Sequence, residues 1–167
     1  MPGKNLKMDE TLYFLKYAYP CVYTLKNLGK VSQDDVEILE DAVKKWKPLS
    51  KDYLEKIFSA AFERMKKVSE ETGMDYWSNA LIHEYFVNRH NINIDNREGT
   101  YAKLPDSICD LCKVYKGTVS EVIGKKPQVV QLKGIQRAGR YINYYNIDLE
   151  PGDKVTTHFG FIIEKYG

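Results

Sequence analysis

Cysteine and histidine are scarce in this 167-residue chain, with three of each. An odd, small number of thiols excludes the disulfide framework that staples small secreted domains. In a reducing compartment such thiols are expected to be free, metal-ligating or packed in a core. Long apolar runs are also missing. No stretch approaches the roughly 18 apolar residues of a membrane span, and the opening residues 1–6 lead into no apolar segment of signal-peptide length. A cytoplasmic location is the expectation. Charge of one sign is lacking too: Lys plus Arg number 25, Asp plus Glu 23. Residues 1–104 carry sixteen of each sign, and residues 105–167 nine basic against seven acidic. Neither part offers the field that draws nucleic acid or an acidic membrane, and no membrane partner is expected. Motifs for nucleotide binding and for hydrolase or kinase chemistry are absent. His83-Glu84 begins like a zinc-protease helix, but Val87 stands where the second histidine belongs. The chain is therefore not expected to be an enzyme.

What is present is an ordinary globular composition, 43% hydrophobic and 29% charged. The first hundred residues read as helices, with apolar positions recurring at three and four. Asp9 is expected to start a short helix through Leu12, Leu15 and Tyr19, closed by Pro20. Ser32 with Asp35 resembles a capping box ahead of a stripe of Val36, Leu39, Val43 and Trp46. A third helix is expected from Ser50 through Phe62 and Val68 to Gly73. A fourth, capped by Asp75, runs through Trp77, Leu81, Tyr85 and Phe86 and fades in the asparagine-rich stretch 88–96.

Beyond residue 104 the pattern changes to short β-rich runs punctuated by Gly and Pro. Strands are expected at 114–123, 128–132, 140–145, 154–158 and 159–165, with turns at Gly124-Lys125-Lys126-Pro127 and Glu150-Pro151-Gly152-Asp153. Five short strands in about sixty residues suggest a closed barrel, since an open sheet of that size leaves bare edges. The fold class is α+β: an N-terminal helical bundle in 1–104 and a small OB-like β-barrel in 105–167.

The chemistry-bearing motif is Cys109-Asp110-Leu111-Cys112, at the junction of the two parts. A structural zinc site needs two more ligands, to be drawn from Cys21, His83, His90 and His158, because no second Cys-x-x-Cys exists. A redox pair usually opens a helix after a strand, whereas here a strand follows. Simple burial is the third reading. His83 and His90, seven apart, are read as ordinary bundle residues. The thirteen tyrosines, with Tyr141, Tyr144 and Tyr145 close together, raise single-stranded nucleic-acid binding as an alternative. Its basic cluster is limited to Lys125, Lys126, Lys133, Arg137 and Arg140, so nucleic acid is an unlikely partner and half-buried strand residues are the better reading.

From Cys112 onward the chain resembles the hydrogenase-assembly chaperone family (HypC/HupF). The segment Cys112-Lys113-Val114-Tyr115-Lys116-Gly117-Thr118-Val119 is similar to that family's opening, where an essential cysteine leads into the first strand. Pro151-Gly152-Asp153-Lys154-Val155-Thr156-Thr157-His158-Phe159-Gly160-Phe161-Ile162-Ile163-Glu164-Lys165 resembles its closing strand pair. The resemblance covers about the last third of the chain.

It implies a role in nickel-iron hydrogenase maturation. A cysteine thiolate would transiently hold an iron centre carrying cyanide and carbonyl ligands, in complex with a larger scaffold protein. The complex would then engage the precursor of the hydrogenase large subunit. By the same resemblance Cys112 is the iron ligand, Gly117 lets the strand bend, His158 lines the barrel end, and Gly160 and Phe161 shape the wall. The family's proline before that glycine is Lys116 here, and a lysine there would lower a nearby thiol's pKa. Cys112 lies within the chain and has no α-amine to offer. Relatives continue into a C-terminal helix, a surface that the N-terminal bundle is expected to supply. Cys109 is an addition: a second thiolate for iron, a reversible disulfide partner guarding Cys112, or a core residue.

Overall fold

Helix formation begins where the sequence supplies a cap. In a computed structural model, which describes residues 8–125, 128–134 and 139–167, the Asp9 carboxylate accepts the amides of Thr11 and Leu12. It thereby opens α1 (Glu10–Ala18). Lys126-Pro127 of the expected turn, and Arg137, lie outside the described residues. A 3-10 turn at Tyr19–Cys21, with Pro20 in its first turn where no amide is needed, leads into α2 (Val22–Asn27). The expected capping box forms in full: Ser32 Oγ accepts from the Asp35 amide at 3.1 Å, and Asp35 Oδ2 accepts from the Ser32 amide at 3.3 Å. That box opens α3 (Gln33–Lys45), whose buried stripe is Val36, Leu39, Ala42 and Val43. Trp46, expected in the same stripe, instead ends the helix in a left-handed conformation (φ 49°) and stays 39% exposed.

The third expected helix is two. Ser50 caps α4 (Lys51–Ile57), the backbone breaks at Phe58 (φ −110°, ψ 42°), and α5 (Ser59–Thr72) follows. The break lets both Phe58 and Phe62 reach the ring of Phe14, at 5.5 and 5.0 Å between centroids. Gly73 (φ 72°) ends α5 as a left-handed cap. The fourth helix is capped by Ser78 rather than Asp75, because Ser78 Oγ accepts the Leu81 amide at 3.2 Å. It runs through α6 (Asn79–His83), a π-helical segment at Glu84–Arg89 and α7 (His90–Asp95). Helix therefore persists through the asparagine-rich stretch where fading was expected. A 3-10 turn at Gly99–Lys103 and α8 (Asp106–Cys112) complete the helical elements.

The strands are β1 (Val114–Ile123), β2 (Val129–Lys133), β3 (Gly139–Ile142), β4 (Lys154–His158) and β5 (Phe161–Tyr166). They close into a barrel in the order β1-β2-β3-β5-β4. All neighbours are antiparallel except β3 and β5, which meet in parallel at Ile142 and Phe161. Tyr144 and Tyr145, expected in the third strand, stand in the turn after it. The core filling the barrel is Val119, Val130, Leu132, Tyr141, Leu149, Val155 and Ile162. The expected α+β class is the observed one: helices first, a closed five-stranded barrel after.

The chain divides into two compact units, Met1–Tyr85 and Phe86–Gly167. Residues 86–104, placed by their sequence with the helices, pack in the unit that holds the barrel.

Asp35 links the α3 cap to α4, because its Oδ1 also accepts the Tyr53 hydroxyl at 2.7 Å. The Ser32 hydroxyl first and the Tyr53 hydroxyl second hold the Asp35 carboxyl below its ordinary value of 3.8. A depressed carboxylate stabilises the fold above its unfolded value and loses that contribution as pH falls through the folded one. Asp35→Asn is thus expected to lower the melting temperature at neutral pH, with the gap to the parent closing as pH drops below 3.8. Ser32→Ala is expected to cost about 1 kcal/mol in urea unfolding, as for other N-caps.

Candidate functional site

The motif cysteines both fall in α8, Cys112 as its last residue. Lys113 turns the chain to extended geometry and Val114 begins β1. This is the wrong end of a helix for an activated thiol, since C-terminal carbonyls disfavour a thiolate. Both side chains are buried, Cys109 at 3% exposure and Cys112 at 2%, and no disulfide joins them.

Cys109 Sγ lies 3.1 Å from Arg97 Nη1. The same guanidinium donates to the Leu104 carbonyl at 2.9 Å and pairs with Asp106. Burial pushes the Cys109 thiol above its ordinary value, with Arg97 opposing that rise. A cleft of about 310 Å³ opens beside it, lined by Ile94, Asp95, Arg97, Asp106, Cys109, Asp110 and Lys113. Lys113 bridges Asp95 at 2.6 Å, which raises its own pKa. Arg97 is thus the cation that meets Cys109. Lys116, expected to act on the thiols, holds its Nζ over the Tyr166 ring at 5.4 Å.

Strand register brings the Cys112 turn and His158 to one end of the barrel. Val114 stands opposite His158 in the β1–β4 pairing, and the Phe159 amide donates to the Leu111 carbonyl at 3.0 Å. His158 is 1% exposed. Its ring lies 5.1 Å from that of His90 and 6.3 Å from that of Phe86, measured between centroids. His90 in turn meets the Tyr101 hydroxyl through Nε2 at 3.2 Å. Next along α7, Asn91 takes both polar groups of Val114: Oδ1 accepts its amide and Nδ2 donates to its carbonyl, each at 2.8 Å. His90, read from the sequence as an ordinary bundle residue, packs instead on His158, and Asn91 was missed because its partner, Val114, lies in the first strand. His83 has a different setting, with Nδ1 3.1 Å from the Tyr13 hydroxyl in the first unit.

Gly117 is buried within β1 opposite Val155, and the strand's irregularity lies further on, between Val119 and Glu121. Gly160 has a local reason. His158 and Phe161 flank a two-residue turn in which Phe159 (φ 51°) and Gly160 (φ 81°) are both left-handed, as a type I′ hairpin demands. Phe161 lies flat on Tyr144, with centroids 5.0 Å apart and planes 7° from parallel, beside the seam that closes the barrel. Tyr141 and Tyr145 are buried. The aromatics near this seam are engaged in packing.

Among the described residues, no group of three or more His, Cys, Asp or Glu side chains could hold a metal ion. The four-ligand zinc site considered for the thiols is thus not assembled there. No helix among those residues is long and apolar enough to cross a membrane. No protein-family model, curated protein or solved structure matches the chain. Fold and site together define a helical unit followed by a closed barrel with a buried thiol and imidazole at one end.

An added Cβ at Gly160 would meet no atom within 4 Å, so the cost of a substitution there is conformational. Gly160→Ala is expected to lose about 1 kcal/mol of stability, and Gly160→Asn less, because asparagine tolerates the left-handed region. Urea unfolding of the two variants checks the order.

Proposed function

We propose that this chain is a non-catalytic accessory protein of metallocentre assembly, acting in the cytoplasm in nickel-iron hydrogenase maturation. Its cargo is an iron centre held through Cys112. Its partners are a larger scaffold protein and the precursor of the hydrogenase large subunit. The single observation that carries this reading is the β1–β4 register, which sets the Cys112 turn beside His158 at one barrel end. Thiolate and imidazole are soft and borderline donors, a set suited to iron with strong-field ligands. A metal binds a cysteine as the thiolate, so loading the site releases a proton. Two protein donors also leave coordination positions for the ligands that travel with the iron. Cys109, paired with Arg97, lies outside this donor set and is a packing residue.

The test is anaerobic purification of the full chain from its native cell, followed by metal analysis and identification of co-eluting proteins. Iron near one equivalent and a larger maturation protein are expected. Cys112→Ala is expected to reduce iron at least tenfold, while Cys109→Ala retains it, both variants keeping the parent's circular dichroism. Background iron in the parent, or equal iron in parent and Cys112→Ala, would overturn the proposal.

A further inference from the structure

A thiol at 2% exposure cannot exchange a cargo in this conformation, so some element must move, and the packing around β1 indicates which one. The barrel's core cluster draws every member from residues 119–162 and none from 86–112. The helical segment can therefore leave without emptying that core. It consists of the last part of the helix that runs unbroken from Asn79 to Asp95, a five-residue 3-10 turn and seven residues of α8. The 3-10 turn and α8 are well below the roughly 12–15 residues at which a helix begins to hold by itself in water. Tertiary contacts keep them in place.

Those contacts fall into two sets. Within the segment, Arg97 ties the carbonyls of Tyr101 and Leu104 to Asp106 and Cys109, and His90 meets Tyr101. This set makes the segment one body. Against the barrel, Phe86 and His90 lie on His158, Asn91 grips Val114, and the Leu111 carbonyl, next to the pivot, accepts the Phe159 amide at 3.0 Å. The site of that grip is informative. Among the described residues β2 pairs with β1 only from Thr118 onward, and at Val114 the backbone groups on that side go to Asn91 instead. A strand residue's amide and carbonyl point the same way, and the Asn91 carboxamide, with one acceptor and one donor, satisfies both.

We propose that residues 86–112 form a displaceable cover over the cysteine end of the barrel, latched by the Asn91 side chain to Val114. The Lys113 turn is its pivot. Elements with few core contacts are those that open below the global unfolding free energy. The cover's role in releasing a cargo rests on the maturation reading, whereas its existence does not.

The experiment follows alkylation of Cys112 in the full-length, metal-free protein. A small haloacetamide is added under native conditions, and peptide mass spectrometry separates Cys112 from Cys109 and Cys21. Amide hydrogen exchange of Val119, Val130 and Ile162 reports global unfolding in parallel. In the parent, Cys112 is expected to react faster than global unfolding allows. Asn91→Ala is expected to raise its rate roughly tenfold, the effect of losing one or two ordinary hydrogen bonds, without faster exchange in the barrel core. Asn91→Asp keeps the acceptor and loses the donor, so it is expected to fall between the two and serves if the alanine variant does not fold. The inference is overturned if Cys112 reacts only at the global unfolding rate, if neither variant changes its rate, or if labelling and core exchange accelerate together. Iron content is not read in this assay, so the cover and the maturation role fail independently.

Discussion

Val114 is addressed from two sides. Across the sheet it faces His158, while its own amide and carbonyl turn outward to a single carboxamide, that of Asn91. A bare strand edge at the mouth of a small barrel is a liability, both for unsatisfied backbone and for stray pairing. Here the edge is occupied by a side chain from the preceding helical segment. Residues 86–112 belong to the barrel's compact unit, and His158 and both motif cysteines are buried within it.

Burial sets the chemistry available to the thiols. Solvent exclusion pushes the Cys109 thiol above its ordinary value, and the Arg97 guanidinium at 3.1 Å opposes that rise. A buried neutral thiol is a poor nucleophile.

Much of the scaffold was legible because it rests on local signals. Asp9, Ser32 and Ser50 mark helix starts through side chains that reach amides two or three residues on, and such contacts are encoded in adjacent letters. β1 and β4 were placed to the residue, since alternating β-branched runs bounded by turns need no distant information. The break at Phe58 was hidden, because the apolar period continues through it and the reason to bend is the Phe14 ring, more than forty residues earlier. Trp46 was misplaced for a similar reason: its spacing fits the stripe, but the helix ends there.

At the site, the order Cys112, Gly117, His158, Gly160 and Phe161 could be read as a pattern, and the left-handed turn accounts physically for Gly160. His90, Asn91 and Arg97 could not, since an asparagine-rich helix end carries no sign of the strand it will cap. By itself the amino-acid order determined the starts of α1, α3 and α4, the bounds of β1 and β4 and the closed barrel, because hydrophobic period, caps and turn residues act over a few positions. Only tertiary structure decided that the cysteine end is covered, because burial and the pairing of Asn91 with Val114 join segments that no short-range rule connects.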